Sequence, residues 1–491
     1  MENELQKHFE KFRKNIVGID ATFESPYGTQ DLIYADWIAS GRLYGPIEDK
    51  IKNQFGPLVG NTHSEASETG RTMTIAYHEA HKLIKSHVNA DEHDVILTTG
   101  FGMTSALAKF QRILGLKVPE QLSPFCKMPI EEKPVVFLTH MEHHSNQTPW
   151  FESLCDVVVI EPDENLYINP ENLRKEIKKY EDRKMKIGSF SGCSNVTGII
   201  TPYYELAEIM HEYGGYCFVD FAASAPYVEI DMHPTKKEQK LDAIFFSPHK
   251  FLGGPGSSGV LIFCKSLYKN RIPDHPGGGT VLWTNPWGEH SYFDDIEIRE
   301  DGGTPGFLQA IRTALSISLK EQMEVAKIHE REKQLIDKAR EGLRNIDGLN
   351  ILGDNDLERV GVFSFYIIGL HHNLVVKLLN DRYGIQVRGG CSCAGTYGHF
   401  LLNVDWETSH RITEKINKGD LSEKPGWVRM SIHPTMTDEE LDKILLAIKE
   451  VSLHADMWVE EYDYVVEVNE FFHKTDEKEL RSKILNWFEL N

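Results

Sequence analysis

The residues with the clearest chemical potential are a lysine and an aspartate that close two apolar runs. Asp220 ends the run 217–220, and Lys250 follows the run 243–246 and precedes a glycine-rich turn. A carboxylate at the end of a buried strand is costly unless it meets a cation. A lysine in such a place can present its amine to a pocket and form a Schiff base with pyridoxal 5′-phosphate, while an aspartate keeps the pyridine nitrogen protonated. The alternative is that Lys250 is only a surface lysine at a strand end.

A second strand end offers a site for a phosphate. The run 95–98 leads into Gly102, Met103 and Thr104 and then into an apolar-periodic segment that predicts a helix. Free N–H groups and the positive end of a helix dipole favour a phosphate at such a turn. We therefore predict phosphate binding here, although a plain tight connection between two elements is the alternative.

Three histidines, His140, His143 and His144, follow the apolar run 135–138. Histidines this close together could bind a metal ion, but no further ligands at zinc-like spacing accompany them. A flat imidazole stacked on a flat cofactor ring fits the pattern better. We therefore predict that these residues hold no metal.

These residues belong to a region, from about residue 95 to 264, in which short β-rich runs alternate with helical stretches. Seven such runs with mostly helical connections are typical of an α/β sheet that is buried on both faces. The last two runs, 243–246 and 260–263, are too close for a crossover helix and are predicted to be antiparallel. Ligands of such sheets bind at the carboxyl ends of the strands, where the residues above lie.

The second half of the chain predicts a smaller α+β lobe, and the length of 491 residues is itself more than one core requires. Residues 309–344 are rich in helix-forming side chains and predict a long helix. Shorter strand-like runs follow at 362–368, 385–388 and 427–432. Thr437 and Glu440 form a capping box, which predicts the start of an amphipathic helix. The loop 117–133 is long for a compact domain, which favours a functional role.

Composition and charge limit the partners. The chain has 74 acidic and 53 basic side chains and a net charge of −21, so nucleic acid and anionic membranes are poor partners. We find neither a signal sequence nor an apolar run of about 18 residues and expect a cytoplasmic protein. In a reducing compartment, the five cysteines other than Cys391 and Cys393 are expected to be small buried hydrophobes.

Several motifs together resemble a known family, the class V aminotransferase group of fold-type I pyridoxal-phosphate enzymes, and within it the cysteine desulfurases and selenocysteine lyases. The resemblance spans roughly residues 32–450. The motifs, in the order of the family, are EHHSN at 142–146, SNVTG at 194–198, VDFA at 219–222, SPHK at 247–250, GGGT at 277–280 and WVRMS at 427–431. The resemblance implies a large cofactor-binding domain, 32–310, around a mostly parallel seven-stranded sheet. Residues 1–31 and 311–491 would form a smaller α+β domain with a C-terminal extension.

The resemblance also implies how the cofactor is held. His143 would stack on the ring, Asn195 would lie near the phenolic oxygen, and Asp220 would face the pyridine nitrogen. Ser247 and His249 would bind the phosphate. The full set of expected cofactor contacts is Gly102, Met103, Thr104, His143, Asn195, Asp220, Ala222, Ser247, His249, Lys250 and Thr280.

Substrate binding and assembly follow from the same resemblance. Arg429 would grip the α-carboxylate of an amino-acid substrate, and a bidentate arginine–carboxylate pair is a sound anchor for such a group. We expect Arg388 to assist it. Thr280 would complete the phosphate site of a neighbouring subunit, which implies a homodimer with shared active sites.

The reaction depends on the segment 388–395. Matching this segment to the family places Cys393 at the nucleophilic cysteine of a desulfurase, whose thiolate takes the sulfur of L-cysteine as a persulfide while alanine leaves. Lys250 and His143 would be the other catalytic residues. Two features differ from the family: Ala223 stands where a glutamine often tunes the cofactor, and residues 390–392 replace a histidine pair.

Other functions stay open at this point. One alternative is a class V aminotransferase, epimerase or other lyase in which Cys393 is not catalytic, and a more remote one is a non-catalytic binding partner. Lys250, Asp220 and Arg429 argue against the latter. A sulfur-acceptor protein is a candidate partner of a desulfurase. We expect the apolar face of the tail 457–491 to pack against its own lobe or a dimer mate instead; this face comprises Leu480, Ile484, Leu485, Trp487 and Phe488.

Overall fold

The apolar runs of the first half form one large sheet, and the second half builds a smaller one. The computed structural model describes residues 4–62, 65–475 and 479–490. The strands are β1 (Thr22–Ser25), β2 (Gly28–Asp31), β3 (Ile33–Tyr34), β4 (Asp94–Thr99), β5 (Val135–Thr139), β6 (Asp156–Ile160), β7 (Lys186–Ser191), β8 (Tyr216–Asp220), β9 (Ala243–Phe246), β10 (Gly259–Cys264), β11 (Val281–Thr284), β12 (His290–Tyr292), β13 (Leu349–Ile351), β14 (Val362–Ile367), β15 (Ile385–Gln386), β16 (Arg388–Gly390), β17 (Trp427–Ser431), β18 (Tyr462–Val465) and β19 (Glu470–His473). The α-helices are α1 (Glu4–Arg13), α2 (Gly45–Lys50), α3 (Glu68–His87), α4 (Met103–Ile113), α5 (His144–Phe151), α6 (Pro170–Ile177), α7 (Tyr203–Glu212), α8 (Ile296–Arg299), α9 (Phe307–Met323), α10 (Val325–Arg344), α11 (His372–Tyr383), α12 (Gly395–Leu401), α13 (Trp406–Asn417), α14 (Asp438–Trp458) and α15 (Glu479–Asn486).

The large sheet has seven strands in the order β4-β10-β9-β8-β7-β5-β6. Strands β5 to β9 are parallel, whereas β10 is antiparallel to both β9 and β4. This confirms the predicted mostly parallel seven-stranded sheet and its antiparallel last pair. Because β5, β7, β8 and β9 run in one direction, their carboxyl ends meet at one edge of the sheet.

Both faces of this sheet are buried, as the continuous apolar runs predict. On β8 and β9, Val219 and Ile244 point into a core shared with α7 and α9, and Phe218 and Phe245 point into a core shared with α4. The alternation places neighbouring residues on opposite faces, so the strand ends are held from both sides. The sheet edge is therefore a rigid platform for the polar residues that follow each strand.

The small lobe contains an antiparallel sheet in the order β13-β14-β17-β16, with α10, α11 and α14 packed on it. The predicted capping box is confirmed: Thr437 accepts from the Glu440 N–H, and the Glu440 side chain accepts from the Thr437 N–H. The predicted strand 385–388 is two strands instead. It divides because β15 pairs with β3, whereas β16 pairs with β17 in the other sheet.

The single helix predicted over 309–344 is wrong, because the chain breaks it at Glu324. That residue has a φ of 65°, and α9 ends before it while α10 begins after it. Helix α9 places Ile311 and Ala314 in the core of the large sheet, and α10 places Leu335 in the core of the small one. The predicted domain boundary after residue 310 falls inside α9, and we propose that the large domain extends to the end of this helix.

The tail after α14 forms the hairpin β18–β19 and helix α15. Four side chains of the predicted apolar face are exposed: Ile484, Leu485, Trp487 and Phe488. The expectation that this face packs against its own lobe is therefore wrong. Helix α15 follows the hairpin after residues 476–478, which lie outside the described residues, as does the Leu480 side chain. Packing against a dimer mate stays a prediction.

Two of the five scattered cysteines differ from the expectation of burial. Cys155, Cys193 and Cys217 are buried, but Cys264 is half-buried and Cys126 is exposed in the long loop 117–133. None of the described helices combines the length and apolar character that are needed to cross a membrane.

Candidate active site

The carboxyl ends of β7, β8 and β9 open into a cavity of about 220 Å³. On the side of the small lobe, β16, the segment that follows β16, and β17 close this cavity. Most of the predicted site residues line it: Met103, Thr104, His143, Asn195, Asp220, Ala222, Ser247, His249, Lys250, Arg388, Cys393 and Arg429. Gly102 lies behind the wall, where an added side-chain carbon would come within 2.9 Å of Ser247 Oγ. Thr280 does not line the cavity of its own chain and instead donates to the Gly277 carbonyl at 2.7 Å. Its role at a neighbouring subunit stays a prediction.

Asp220 and Lys250 occupy the floor of the cavity. Asp220 is the last residue of β8, and Lys250 lies in a single turn of 3₁₀ helix after the adjacent β9. Burial raises the pKa of Asp220 to about 7, although the Ala222 N–H and the charge of Lys250 oppose this. Burial also lowers the pKa of Lys250, against the attraction of Asp220. Burial thus shifts both groups toward their neutral forms, and a charge partner that enters the cavity would oppose this.

Glu142 supports this floor from below. It is fully buried and accepts hydrogen bonds from Thr139 Oγ1 at 2.6 Å, Ser191 Oγ at 2.6 Å and Asn146 Nδ2 at 2.7 Å. These bonds join the ends of β5 and β7. Burial raises the pKa of Glu142, and its charge in turn raises that of Asp220.

One end of the cavity is built to receive an anion. Helix α4 begins at Met103, and the Met103 N–H donates to Ser247 Oγ at 2.8 Å, which ties the start of the helix to the end of β9. Thr104 Oγ1 donates to Ser145 Oγ at 2.7 Å. Gly259 allows β10 to approach closely, because a side-chain carbon there would lie 2.4 Å from the Gly102 carbonyl oxygen. The positive end of the α4 dipole thus faces the cavity.

His143 caps helix α5 at its first turn. Its Nδ1 accepts from the Ser145 N–H at 3.0 Å, which leaves the ring proton on Nε2. Burial, followed by the nearby charge of Lys250, lowers the pKa of His143 to about 3. The imidazole is therefore neutral, fixed in orientation and turned toward the cavity.

The other two histidines of the motif bond to backbone groups. His140 Nε2 lies 3.1 Å from the Leu166 carbonyl, and His144 Nε2 accepts from the Gly395 N–H at 2.9 Å. Within the described part of the chain, the side chains that could together hold a metal ion are Asp91, Asp94 and His233, outside this cavity. A hydrogen bond of 2.6 Å between His233 Nε2 and Asp94 Oδ2 accounts for two of them.

Two arginines face the cavity from the small lobe. Arg429 of β17 and Arg388 of β16 are opposite each other in the antiparallel register. Arg429 is buried, and its Nη2 donates to Asp36 Oδ1 at 3.0 Å while its Nη1 donates to the Asn195 carbonyl at 3.3 Å. Its Nε has no partner among the described residues. Arg388 is exposed.

Cys393 reaches the cavity on a strained segment, which we call the Cys393 loop (residues 391–396). Ser392 and Cys393 have φ values of 52° and 56°, and a left-handed conformation costs a non-glycine residue about 1–2 kcal/mol. Asn195 Nδ2 donates to the Ser392 carbonyl at 2.7 Å, and the His144 N–H donates to the Cys393 carbonyl at 2.8 Å. Cys393 is exposed, so its thiol is open to both the cavity and the solvent.

Sequence reasoning missed two residues that bear on the site, one that pairs with a residue of the cavity and one that lines the cavity. Asp36, the partner of Arg429, follows the short strand β3, and a carboxylate after an apolar strand is the same signal that identified Asp220. Cys193 was expected to be a buried hydrophobe; it is buried but also lines the cavity. Burial raises the pKa of Cys193 to about 12, so this thiol stays protonated and is a poor nucleophile.

The fold and the site at the strand ends define an α/β protein of one known class. The family model for aminotransferase class V matches residues 33–444, and the chain belongs to this family. A probable cysteine desulfurase from Staphylococcus epidermidis is 29% identical over 379 residues, which cover 76% of this chain and 85% of that protein. The predicted family is thereby confirmed.

Solved structures agree with this assignment at the level of the fold. A cysteine desulfurase from Thermococcus onnurineus NA1 is 24% identical with a TM-score of 0.71, and the match covers 90% of this chain and 98% of that one. A cysteine desulfurase from Escherichia coli is 20% identical with a TM-score of 0.70, and the match covers 91% and 98%. Both confirm the predicted architecture.

Proposed function

We propose that this protein binds pyridoxal 5′-phosphate on Lys250 and converts L-cysteine to L-alanine, with the sulfur passing to Cys393 as a persulfide. The observation that carries the proposal is that Lys250 and Cys393, from different lobes, line one cavity of about 220 Å³. The relatives named as probable cysteine desulfurases support it.

The residues present suit this cofactor. Asn195 Oδ1 is buried and has no hydrogen-bond partner among the described residues, and a ligand in the cavity would lie beside it. Asp220 is a buried carboxylate that accepts a hydrogen bond from the Ala222 N–H, and it can accept a second one from a pyridine N–H. The start of α4, with Ser247 and His249, provides the donors that a phosphate needs. Burial lowers the pKa of His249 to about 4, so this imidazole is neutral in the cofactor-free cavity and can still donate a ring N–H to a phosphate.

When bound, pyridoxal phosphate supplies an electron sink that is conjugated to the substrate Cα. The protein's part is to place charges and move protons. Asp220 would hold a positive charge at the pyridine nitrogen, and His143 would present the face of its neutral imidazole to the ring. Burial lowers the pKa of Lys250, which makes its amine a more available base to take the Cα proton and return it.

Arg429 and Arg388 would hold the substrate by its α-carboxylate. The unpartnered Nε of Arg429 and the position of both side chains at the cavity leave donors for a bidentate contact. The substrate sulfur would then point toward the Cys393 loop, because the arginines and the loop both belong to the small-lobe side of the cavity.

The sulfur step balances without an added oxidant. The Cys393 thiolate attacks the substrate sulfur, the new S–S bond forms as the substrate Cβ–S bond breaks, and the electron pair remains at Cβ. A proton then completes the methyl group of alanine. Cysteine and one thiol thus become alanine and one persulfide.

A titration with L-cysteine tests this function. The protein loaded with pyridoxal phosphate should release alanine in a burst equal to one persulfide per chain, and continued turnover should require a reducing thiol. Cys393→Ser should abolish the burst, whereas Cys391→Ser, a matched change two residues away, should retain it. Formation of a 2-oxo acid instead of alanine would favour the aminotransferase alternative, and no cofactor absorbance at all would favour a non-catalytic protein.

We further propose a homodimer in the cytoplasm that shares its active sites through Thr280 and delivers sulfur to an acceptor protein. Thr280 lies outside its own cavity, and Phe101, Trp283 and Trp287 near the two predicted phosphate segments are exposed. Mixing Lys250→Ala chains with Thr280→Ala chains should restore activity, because one site of each mixed dimer then has both residues intact. A monomer in sedimentation experiments would contradict this assembly.

A further inference from the structure

One residue of helix α5, His144, makes two hydrogen bonds to the Cys393 loop. The backbone N–H of His144 donates to the Cys393 carbonyl at 2.8 Å, and the side-chain Nε2 of His144 accepts from the Gly395 N–H at 2.9 Å. One turn further along α5, the Gln147 amide and the Thr396 hydroxyl are bonded at 2.8 Å. These bonds join the two lobes on the C-terminal side of the cysteine.

The loop needs such a fastening because its backbone does not favour this shape. Ser392 and Cys393 are consecutive non-glycine residues in the left-handed region, and such residues persist only where surrounding contacts hold them. Asn195 holds the N-terminal side through the Ser392 carbonyl. His144 holds the cysteine itself, because it bonds both to the Cys393 carbonyl and to the N–H of Gly395, two residues later.

The position of His144 in the sequence links this contact to the floor of the cavity. His143, the preceding residue, caps α5 and turns its ring into the cavity. Two adjacent residues at the start of α5 therefore position two parts of the proposed site. His143 sets the plane of its ring at the cavity, and His144 holds the loop that carries the Cys393 thiol. A shift of α5 would move both together.

We propose that His144 is a positioning residue that holds the Cys393 thiol at the cavity through the Gly395 N–H. The inference deepens the proposed function, because it assigns a residue to the sulfur step. It requires Nε2 of His144 to be an acceptor, which is a neutral imidazole with its proton on Nδ1. Burial lowers the pKa of His144 and so favours that form.

The test uses the cofactor-loaded full chain with three substitutions. His144→Ala removes the acceptor, whereas His144→Gln retains an acceptor oxygen at a similar reach. His410→Ala is the matched control, since His410 is exposed on α13 and its ring contacts Trp406. Three quantities are measured: hydrogen–deuterium exchange at Gly395, the single-turnover rate of persulfide formation, and the substrate concentration for half-saturation.

In His144→Ala we expect exchange at Gly395 to become faster and the single-turnover rate to fall, each by about tenfold, the size of one lost hydrogen bond at a partly buried site. Half-saturation should stay within about twofold, because the arginines that bind the substrate are untouched. His144→Gln should recover most of the protection of the Gly395 N–H from exchange and most of the single-turnover rate, and His410→Ala should match the parent.

Two outcomes would overturn the proposal. One is unchanged exchange at Gly395 in His144→Ala, and the other is faster exchange with an unchanged rate of persulfide formation. If the parent formed no persulfide, the proposed function would fail by itself, and the exchange at Gly395 would still decide whether His144 holds the loop. Recovery in His144→Gln separates the loss of the acceptor from a general loss of folding.

Discussion

The floor and the rim of the cavity are built by opposite means. The floor (Asp220, Ser247 and Lys250) comes from the ends of neighbouring strands in a sheet that is buried on both faces. The rim is the Cys393 loop, an exposed segment with a left-handed backbone that contacts from the other lobe hold in place. The floor has little conformational freedom and strongly shifted pKa values, whereas the rim depends on its hydrogen bonds.

The difference suits the two tasks that we propose. Proton transfer at a cofactor requires groups whose charge is set by burial, and these are most reliable on a rigid scaffold. A sulfur that leaves as a persulfide must first face the cavity and then an acceptor, which favours an exposed loop. The following predictions separate the two regions.

The largest effect is expected at the floor. Lys250→Ala should lower kcat by about 10³-fold, because a positioned acid–base group contributes on that order, and the absorbance of the lysine-bound cofactor should disappear. Lys236→Ala, at an exposed lysine paired with Glu208, is the control and should behave as the parent. Retention of more than about a tenth of the activity in Lys250→Ala would mean that the proton is moved by another group.

The floor should also control how stability depends on pH. In the cofactor-free protein the pKa of Asp220 is raised from 3.8 to about 7, so the folded chain binds this proton more tightly than the unfolded one. The free energy of unfolding should therefore fall as pH rises from about 4 to 7 and then level off. Asp220→Asn removes this pH-dependent contribution. The free energy of unfolding of the variant should therefore rise by about 3 kcal/mol relative to that of the parent between about pH 4 and pH 7.

Chemical denaturation at several pH values measures this difference directly, and changes from carboxyl groups that do not interact with Asp220, such as the buried Glu332, cancel between the two proteins. Addition of pyridoxal phosphate should abolish or reverse it, since the pyridine nitrogen then supplies the missing charge partner. A constant difference at all pH values would show that Asp220 is ionised in the cofactor-free protein.

The two arginines offer a comparison on the small-lobe side. Arg429→Lys should raise the KM for the amino acid by about tenfold or more, because it removes part of a set of charge-assisted hydrogen bonds worth roughly 1.5–3 kcal/mol. Arg388→Lys, at an exposed site, should change KM by less than about threefold. Steady-state kinetics with L-cysteine gives both values, and equal effects would argue that substrate binding is shared evenly.

Sequence reasoning identified the floor because its signals are local. Asp220 and Lys250 each follow an apolar run, and parallel strands bring such ends to one edge whatever the details of the helices. The seven strands and the residues at their ends could therefore be predicted. The charge states could not, since the pKa of Asp220 depends on its burial and on the nearby charges of Lys250 and Glu142, which only the folded chain brings together.

The rim could be predicted in identity but not in shape. Family resemblance located Cys393, yet nothing in the sequence near Ser392 and Cys393 indicates a left-handed backbone, because neither residue is glycine. The contacts that hold it come from His144 and Asn195, about 250 and 200 residues away in the sequence. The break at Glu324 was missed for a similar reason: packing of α9 and α10 on different cores overrides a continuous helical pattern.

The smallest expected effect tests the strain of the rim. Ser392→Gly should raise the free energy of unfolding by up to about 1 kcal/mol, because glycine adopts a φ of 52° without cost and removes a buried hydroxyl that has no partner among the described residues. Ala394→Gly is the matched change in the same loop. Ala394 has a φ of −136° and is fully buried, so glycine there should lower the free energy by about 1 kcal/mol.

Urea unfolding of the cofactor-loaded protein measures both differences, and single-turnover kinetics on the same samples measures their effect on sulfur transfer. We expect both variants to slow persulfide formation by a few-fold, since a glycine widens the range of positions that the Cys393 thiol can visit. If Ser392→Gly raises and Ala394→Gly lowers the free energy of unfolding while both slow persulfide formation, the strained backbone serves to position the thiol. If Ser392→Gly lost stability as Ala394→Gly does, the left-handed backbone would not be under strain, and the contrast between floor and rim would reduce to one of exposure.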